Sequence, residues 1–217
     1  MEQYSPEWYE IRKGKFTSSE IHVLLTEPKL KADKEAGELS AAATTYILAR
    51  IGELMGSYEN EFNSQATVWG TEHEPTARAW YSKMVAPVTE VGFIIHPEFN
   101  YWGGSPDGLV TIDGVKGGVE FKCPFVTSNH LEHCLIDSKE YFKRYFKEYY
   151  WQCVSNMIVT GAKFWDFVSF DPRLDADCGM FRFRIGYDEQ DAKQLIPAVA
   201  KSRKKMIELA EKFGIKI

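Results

Sequence analysis

The chain has 217 residues, 44% hydrophobic and 14% aromatic, which supports one well-packed domain and excludes disorder as its ground state. Its net charge of -5 argues against a protein that coats nucleic acid, although local clusters of Lys and Arg count for more than the total. No run of eighteen apolar residues exists, so no membrane span is expected, and the N-terminal MEQYSPEWYEIRKGK has no apolar signal core, so a cytosolic protein is expected.

Taken in order, Ser5 to Lys15 combines Trp8, Tyr9 and Arg12 with two lysines. Thr17-Ser18-Ser19-Glu20 then precedes the apolar run Ile21 to Leu25 and marks a helix N-terminus. Free N–H groups there attract anions, and Ser19 with Arg12 is a candidate phosphate pocket, but the segment alone favours an ordinary cap beside a solvated basic loop. Lys29 to Glu38 reads as an exposed charged loop whose lysines could reach a DNA backbone, and Ser40 to Met55 reads as a helix ended by Gly56. Trp69 to Val85 reads as a second helix. Glu74 has two readings there: an inward carboxylate that needs a partner, or the far half of a capping box whose N-cap is Thr71. Val88 to Ile95 reads as a strand.

Gly103 to Pro124, GGSPDGLVTIDGVKGGVEFKCP, carries the chemistry. Asp107 sits in a Ser-Pro-Asp-Gly turn. Leu109 to Ile112 and Val119 to Lys122 read as a hairpin turned at Asp113-Gly114, which folds the second strand back toward Asp107. Side chains alternate along a strand, so Glu120 and Lys122 share one face and Phe121 takes the other. Two carboxylates and an ammonium thus converge. Hard divalent cations take carboxylate oxygens, and a lysine beside them can hold a water or offset charge on a phosphate. Glu-x-Lys alone would more often be a surface ion pair.

The four cysteines Cys123, Cys134, Cys153 and Cys178 form no C-x-x-C pair and read as free thiols. Cys123, His130, His133 and Cys134 match the spacing of no common zinc module, so zinc is not expected. Lys139 to Thr160 reads as one long helix with an aromatic stripe of Phe142, Tyr145, Phe146 and Tyr149, a basic flank of Lys139, Lys143, Arg144 and Lys147, and Tyr149 and Gln152 neighbours on one face. Phe164 to Phe170 and Phe181 to Tyr187 read as strands around an Asp171-Pro172-Arg173 turn, and Glu189 to Phe213 as a closing amphipathic helix bent or broken at Pro197. No repeat or linker divides the chain. The fold class expected is α/β, a central mixed sheet flanked by helices, in a single domain over 1–217.

In this order, Trp8 to Glu20, Trp69-Gly70 to Glu74, Ser105-Pro106-Asp107-Gly108, Val119-Glu120-Phe121-Lys122-Cys123-Pro124-Phe125, Tyr149-x-x-Gln152 and Asp171-Pro172-Arg173 make the chain resemble the phage lambda exonuclease family of viral recombination nucleases, with the restriction-endonuclease-like fold and the PD-(D/E)xK site. The resemblance implies 5′→3′ degradation of one strand of linear duplex DNA, leaving 3′ overhangs for recombination by strand annealing. It implies that Asp107, Glu120 and the backbone carbonyl of Phe121 bind metal, Mg²⁺ with Mn²⁺ as a substitute, as two ions. Lys122 would orient or activate the attacking water, Glu74 would complete the carboxylate set, Gln152 would hold the water or Lys122, and Tyr149 would line the same wall. Arg12 and Ser19 would form the 5′-phosphate pocket. A homotrimeric ring, a single-strand annealing partner, no membrane and a location in the cytoplasm of a bacterial host are also implied. Departures fall in loops such as Lys29 to Glu38 and Ser57 to Thr67. An endonuclease on the same fold, or a catalytically silent DNA-binding protein, would retain much of this pattern.

Overall fold

The structure, a computed structural model, describes residues 3–57, 64–175 and 177–217. Of the loop expected at 57–67, residues 58–63 lie outside the described residues. The first half of the chain contains α1 (Pro6–Arg12), β1 (Phe16–Thr17), a 3-10 helix (Ser18–Leu25), α2 (Lys31–Glu35), α3 (Ala41–Leu54) and α4 (Gln65–Met84). Then come β2 (Ile94–Ile95), β3 (Trp102–Gly104), β4 (Gly108–Ile112), β5 (Val115–Lys122), α5 (Thr127–His133), α6 (Lys139–Tyr145), α7 (Lys147–Thr160), β6 (Phe164–Phe170), β7 (Met180–Gly186) and α8 (Glu189–Lys212).

The strands form two mixed sheets and not the one expected. One has the order β1-β3-β2, with β1 parallel and β2 antiparallel to β3; the other has the order β4-β5-β6-β7. In the second, the β4–β5 hairpin is antiparallel, β5 and β6 run parallel, and β6 and β7 are antiparallel. The hairpin turns at Asp113 and Gly114, both at positive φ (51° and 76°), which gives the primed turn that matches strand twist. β6 is buried at every position, as suits a central strand covered on both faces. Opposite its Phe164 and Trp165 stand Gly117 and Gly118, where a Cβ would come within 2.2 and 2.3 Å of those rings. Only glycine lets the aromatics lie across β5.

One face of this sheet packs Val110, Val119, Phe121 and Val168 against Ala77 and Tyr81 of α4. The other face meets α7, which is buried from Tyr150 to Met157 and joins a larger core with the 3-10 helix, α3 and α8. α8 presents Ala192, Leu195, Val199, Ser202, Met206 and Ala210 at helical spacing, and it runs through Pro197 without a break.

Several expected elements differ. Val88 to Ile95 is not one strand: Thr89 makes a single bridge to Leu109, and only Ile94–Ile95 pairs with β3. The exposed loop Lys29 to Glu38 contains the short α2, with Lys31 paired to Glu35 and Lys34 to Glu27. The long helix from Lys139 is two helices, because Phe146 leaves helical geometry (φ -126°, ψ 52°) and seats its ring beside His133, Tyr141 and Phe142. Tyr145, expected in the buried stripe, is 58% exposed as a result. Part of the basic flank is neutralised: Lys139 pairs with Asp188 and Asp191, and Lys143 with Asp191.

Candidate active site

β5 sets out the site by alternation. Val119 and Phe121 point into the core against α4, so Glu120 and Lys122 point the other way, toward α7. Lys122 Nζ donates to Glu120 Oε1 at 2.8 Å and lies 5.1 Å from the centre of the Tyr149 ring. That ring is held by stacking on Phe167 and by an edge contact with His133. Asp107 Oδ2 accepts the backbone N–H of Phe121 at 2.6 Å, so the Ser-Pro-Asp-Gly turn is tied to the residue between Glu120 and Lys122.

Gln152 does not reach Lys122 as expected. Its Nε2 donates to Glu120 Oε1 at 2.6 Å, the oxygen that Lys122 also uses. Asn156, one helical turn on, reaches Glu120 Oε2 at 3.5 Å. Sequence reasoning missed Asn156, although its i,i+4 relation to Gln152 was the available signal. Ser155 between them accepts from Trp102 Nε1 (2.9 Å) and lies 2.8 Å from Ser18 Oγ, tying α7 to β3 and the 3-10 helix.

Glu74 faces inward from α4 and not into a capping box. Ser64 is the N-cap and accepts from Thr67 N, so Thr71 falls within the helix and donates to Thr67 O at 3.1 Å. Pro75 likewise lies inside the helix and not in its first turn. Glu74 pairs with Arg78, whose other end reaches Glu90 at 2.8 Å; Arg78 was also missed. Thr71, Glu74, Lys122, Tyr149 and His133 line a cleft of about 570 Å³, and Glu74 and Thr71 also line an adjoining cavity of about 390 Å³ that reaches Asp107 and Arg78.

The electrostatics are those of crowded negative charge. Burial and then Asp107 push Glu74 up to about 7 against the pull of Arg78. Burial and then Glu120 raise Asp107, and burial also raises Glu120 although Lys122 opposes it. Burial pulls the Lys122 ammonium down, but Glu120 and Asp107 outweigh it and raise it, so Lys122 stays charged at neutral pH. His133, lowered to about 4 by burial and then by His130, is neutral.

These donors fit a hard divalent ion. Asp107 and Glu120 are neighbouring carboxylates joined by the Phe121 peptide, and Mg²⁺ takes one or two carboxylates with water making up the rest. Among the described residues no three His, Cys, Asp or Glu side chains already stand as a metal cluster. Of the cysteine and histidine group, His130 and His133 each place Nδ1 2.8 Å from Ser169 Oγ, and Cys134 is exposed.

Arg12 ends α1 with its guanidinium 3.7 Å over the Trp8 ring, and the Trp8 indole N–H donates to Ser105 Oγ at 2.8 Å. Trp8 thereby ties α1, which Arg12 ends, to the turn that bears Asp107. Ser19, exposed near the start of the 3-10 helix, lies 3.3 Å from Thr17 Oγ1. Beyond Lys122, Arg173 donates to the carbonyls of Phe125 (2.9 Å) and Pro124 (3.2 Å), pairs with Asp171, and lies over the Trp69 ring of α4. The Asp-Pro-Arg turn is therefore a clasp on the exit of β5.

A model of the YqaJ-like viral recombinase domain matches residues 7–163. An alkaline exonuclease of Laribacter hongkongensis, LHK-Exo, is 32% identical and superposes with a TM-score of 0.79 over 97% of this chain and 96% of its own. Its structure in complex with dAMP matches equally well, at 32% identity, a TM-score of 0.79 and 96% of each chain. A phage-related exonuclease of Haemophilus somnus 129PT, 16% identical, shares the fold with a TM-score of 0.74 over 92% of this chain and 96% of its own. No curated protein matches. No helix among the described residues is long and apolar enough to cross a membrane.

Proposed function

We propose a function from one premise: the chain belongs to the YqaJ-like viral recombinase family, as its match over residues 7–163 and its 32% identity to an alkaline exonuclease establish. It is a divalent-metal-dependent exonuclease that removes one strand of linear duplex DNA in the 5′→3′ direction and leaves a 3′ overhang for strand annealing. The observation that carries this reading is the convergence of Asp107, Glu120 and Lys122 at the end of β5, with Lys122 2.8 Å from Glu120 and Asp107 bonded to the Phe121 N–H. The dAMP complex of the related LHK-Exo supports a deoxynucleotide as the class of ligand.

Asp107, Glu120 and the Phe121 carbonyl would hold the metal, Mg²⁺ or Mn²⁺, with Glu74 completing the set. When bound, it supplies Lewis-acid charge at the scissile phosphate. Lys122 orients or activates the attacking water and offsets phosphate charge. Gln152 and Asn156 fix the Glu120 carboxylate, and the Tyr149 ring faces the Lys122 ammonium. Arg12, on Trp8 beside Ser105, receives the 5′ phosphate together with Ser19. A homotrimeric ring and a single-strand annealing partner belong to the same proposal.

The test is a linear duplex labelled at one end, carrying a 5′ phosphate or a 5′ hydroxyl, incubated in Mg²⁺ or chelator beside a closed circle. Phosphate-stimulated, Mg²⁺-dependent loss of the 5′ strand with the circle intact is the expected result. Cutting of the circle moves the function to an endonuclease, and no cleavage by folded protein removes the catalytic reading.

A further inference from the structure

The mechanism above leaves Arg78 without a task. Its guanidinium bridges Glu74 and Glu90, its side chain is only 17% exposed, and its Nε–H is buried with no acceptor. Glu90 is 69% exposed, so that pair is screened by solvent and holds the arginine weakly. The firm partner is Glu74. Both sit on the wall of the 390 Å³ cavity that also reaches Asp107 and shares Glu74 and Thr71 with the main cleft. While Glu74 is tied to Arg78, no three carboxylates among the described residues form a metal-holding group.

We infer that Arg78 is an exchangeable partner: it holds Glu74 in the ligand-free protein, and a phosphate of bound nucleotide takes over the guanidinium and releases Glu74 toward Asp107 and Glu120. This rests on the metal-site reading above. The reason is charge compensation. A cation that draws Glu74 away alone leaves a largely buried guanidinium with only the solvent-screened Glu90. A phosphate that draws Arg78 away alone leaves Glu74 unpaired beside Asp107. An uncompensated buried charge is the costly outcome, and only the two ligands together leave every charge paired. The planar fork of arginine suits a phosphate at least as well as a carboxylate, and its idle Nε–H would gain an acceptor. The cation and the nucleotide phosphate therefore bind with positive coupling, and linkage makes the coupling reciprocal. Arg78 is a positioning residue: it acts on metal binding through Glu74.

The test measures binding of Mn²⁺ and of dAMP by calorimetry, each alone and with the other saturating. In the wild type each ligand should tighten the other by the same factor, about fivefold or more. Arg78→Met should bind Mn²⁺ alone more tightly than the wild type does, and dAMP should then change its affinity by less than about twofold. Glu74→Gln frees the guanidinium without emptying the site, so in chelator it should bind dAMP about fivefold more tightly than the wild type, and this arm decides if Arg78→Met does not fold. Coupling that survives in Arg78→Met would overturn the inference, since phosphate would then be acting on the ion directly. So would an unchanged dAMP affinity in Glu74→Gln. A wild type that binds both ligands without coupling sinks this inference alone; one that binds neither sinks the metal-site reading with it.

Discussion

Replacing Gln152 by Ala separates two roles for that residue. The Glu120 side chain is almost wholly buried, and its Oε1 accepts from Gln152 at 2.6 Å and from Lys122 at 2.8 Å, while Oε2 has only the 3.5 Å contact with Asn156. Truncation removes the shortest of these bonds to a charged acceptor. A hydrogen bond to a charged group contributes about 1.5–3 kcal/mol, so Gln152→Ala should lose about that much stability. At about 2–4 °C per kcal/mol for a chain of this size, Tm falls by several degrees. Glu120 is then held by Lys122 and the long contact with Asn156 alone. Loss of a residue that orients a metal ligand costs about 10–100-fold in metal affinity or activity. The assay is nucleotide release from a linear duplex across a titration of Mg²⁺, alongside thermal unfolding. If Gln152 positions Glu120, the Mg²⁺ concentration for half-maximal rate should rise and saturating ion should recover most of the turnover. If Gln152 held the water, turnover would fall with no shift along the Mg²⁺ axis. A variant with wild-type rate, wild-type Mg²⁺ dependence and unchanged Tm would refute the reasoning from the 2.6 Å contact.

Lys122→Ala should lower cleavage by about 10²–10³-fold, the range seen on removing one electrostatic stabiliser, while circular dichroism and DNA retention in chelator stay near wild type; near-normal turnover would remove Lys122 from the mechanism. Arg12→Ala should abolish the advantage of a 5′-phosphorylated over a 5′-hydroxyl end and slow cleavage already under way less; an equal fall in both phases would make Arg12 a general backbone contact. Gly118→Ala places a methyl within 2.3 Å of the Trp165 ring and should cost about 1–3 kcal/mol, read as a fall in the denaturant midpoint; an unchanged midpoint would show that the ring can yield. Burial alone would raise Asp171, but the hydrogen bonds from Arg173 outweigh it and hold the carboxyl at about 2. A depressed acid stabilises the fold above its unfolded pKa of about 3.9 and loses that contribution as pH falls through the folded value. Asp171→Asn should therefore flatten the stability profile between about pH 4 and 2, and a profile as steep as that of the wild type would assign the acid limb to other groups.

The reach of the sequence differs from element to element for physical reasons. The β4–β5 hairpin was legible because Asp-Gly fixes the turn and a period of two fixes the faces, so Glu120 and Lys122 could be placed together without coordinates. The break at Phe146 was not legible. Local periodicity favours one helix there, and the competing term is the fit of one ring among His133, Tyr141 and Phe142, which no local window contains. The start of α4 was misplaced because Thr71-x-x-Glu74 satisfies the capping pattern, while Ser64, the real cap, lies in a stretch without apolar periodicity. The partner of Gln152 was misjudged for a related reason. Helical spacing shows which residues share a face, but the register of α7 on β5 decides which of two charged groups that face meets.

The two helices that wall the cleft are unequal in a way that bears on how this site can change. α7, which carries Gln152 and Asn156, is enclosed by other elements along most of its length, so a substitution there is felt throughout the core. α4, which carries Glu74 and Arg78, buries only Ala77 and Tyr81. One wall is a fixed datum and the other an adjustable jaw. A library confined to the exposed positions of α4 would therefore alter ion preference and cleft width with few unfolded members, whereas the same diversity on α7 would be spent mostly on lost folding. Variation among relatives of this chain should show the same asymmetry, with the freedom to adapt concentrated on the α4 side.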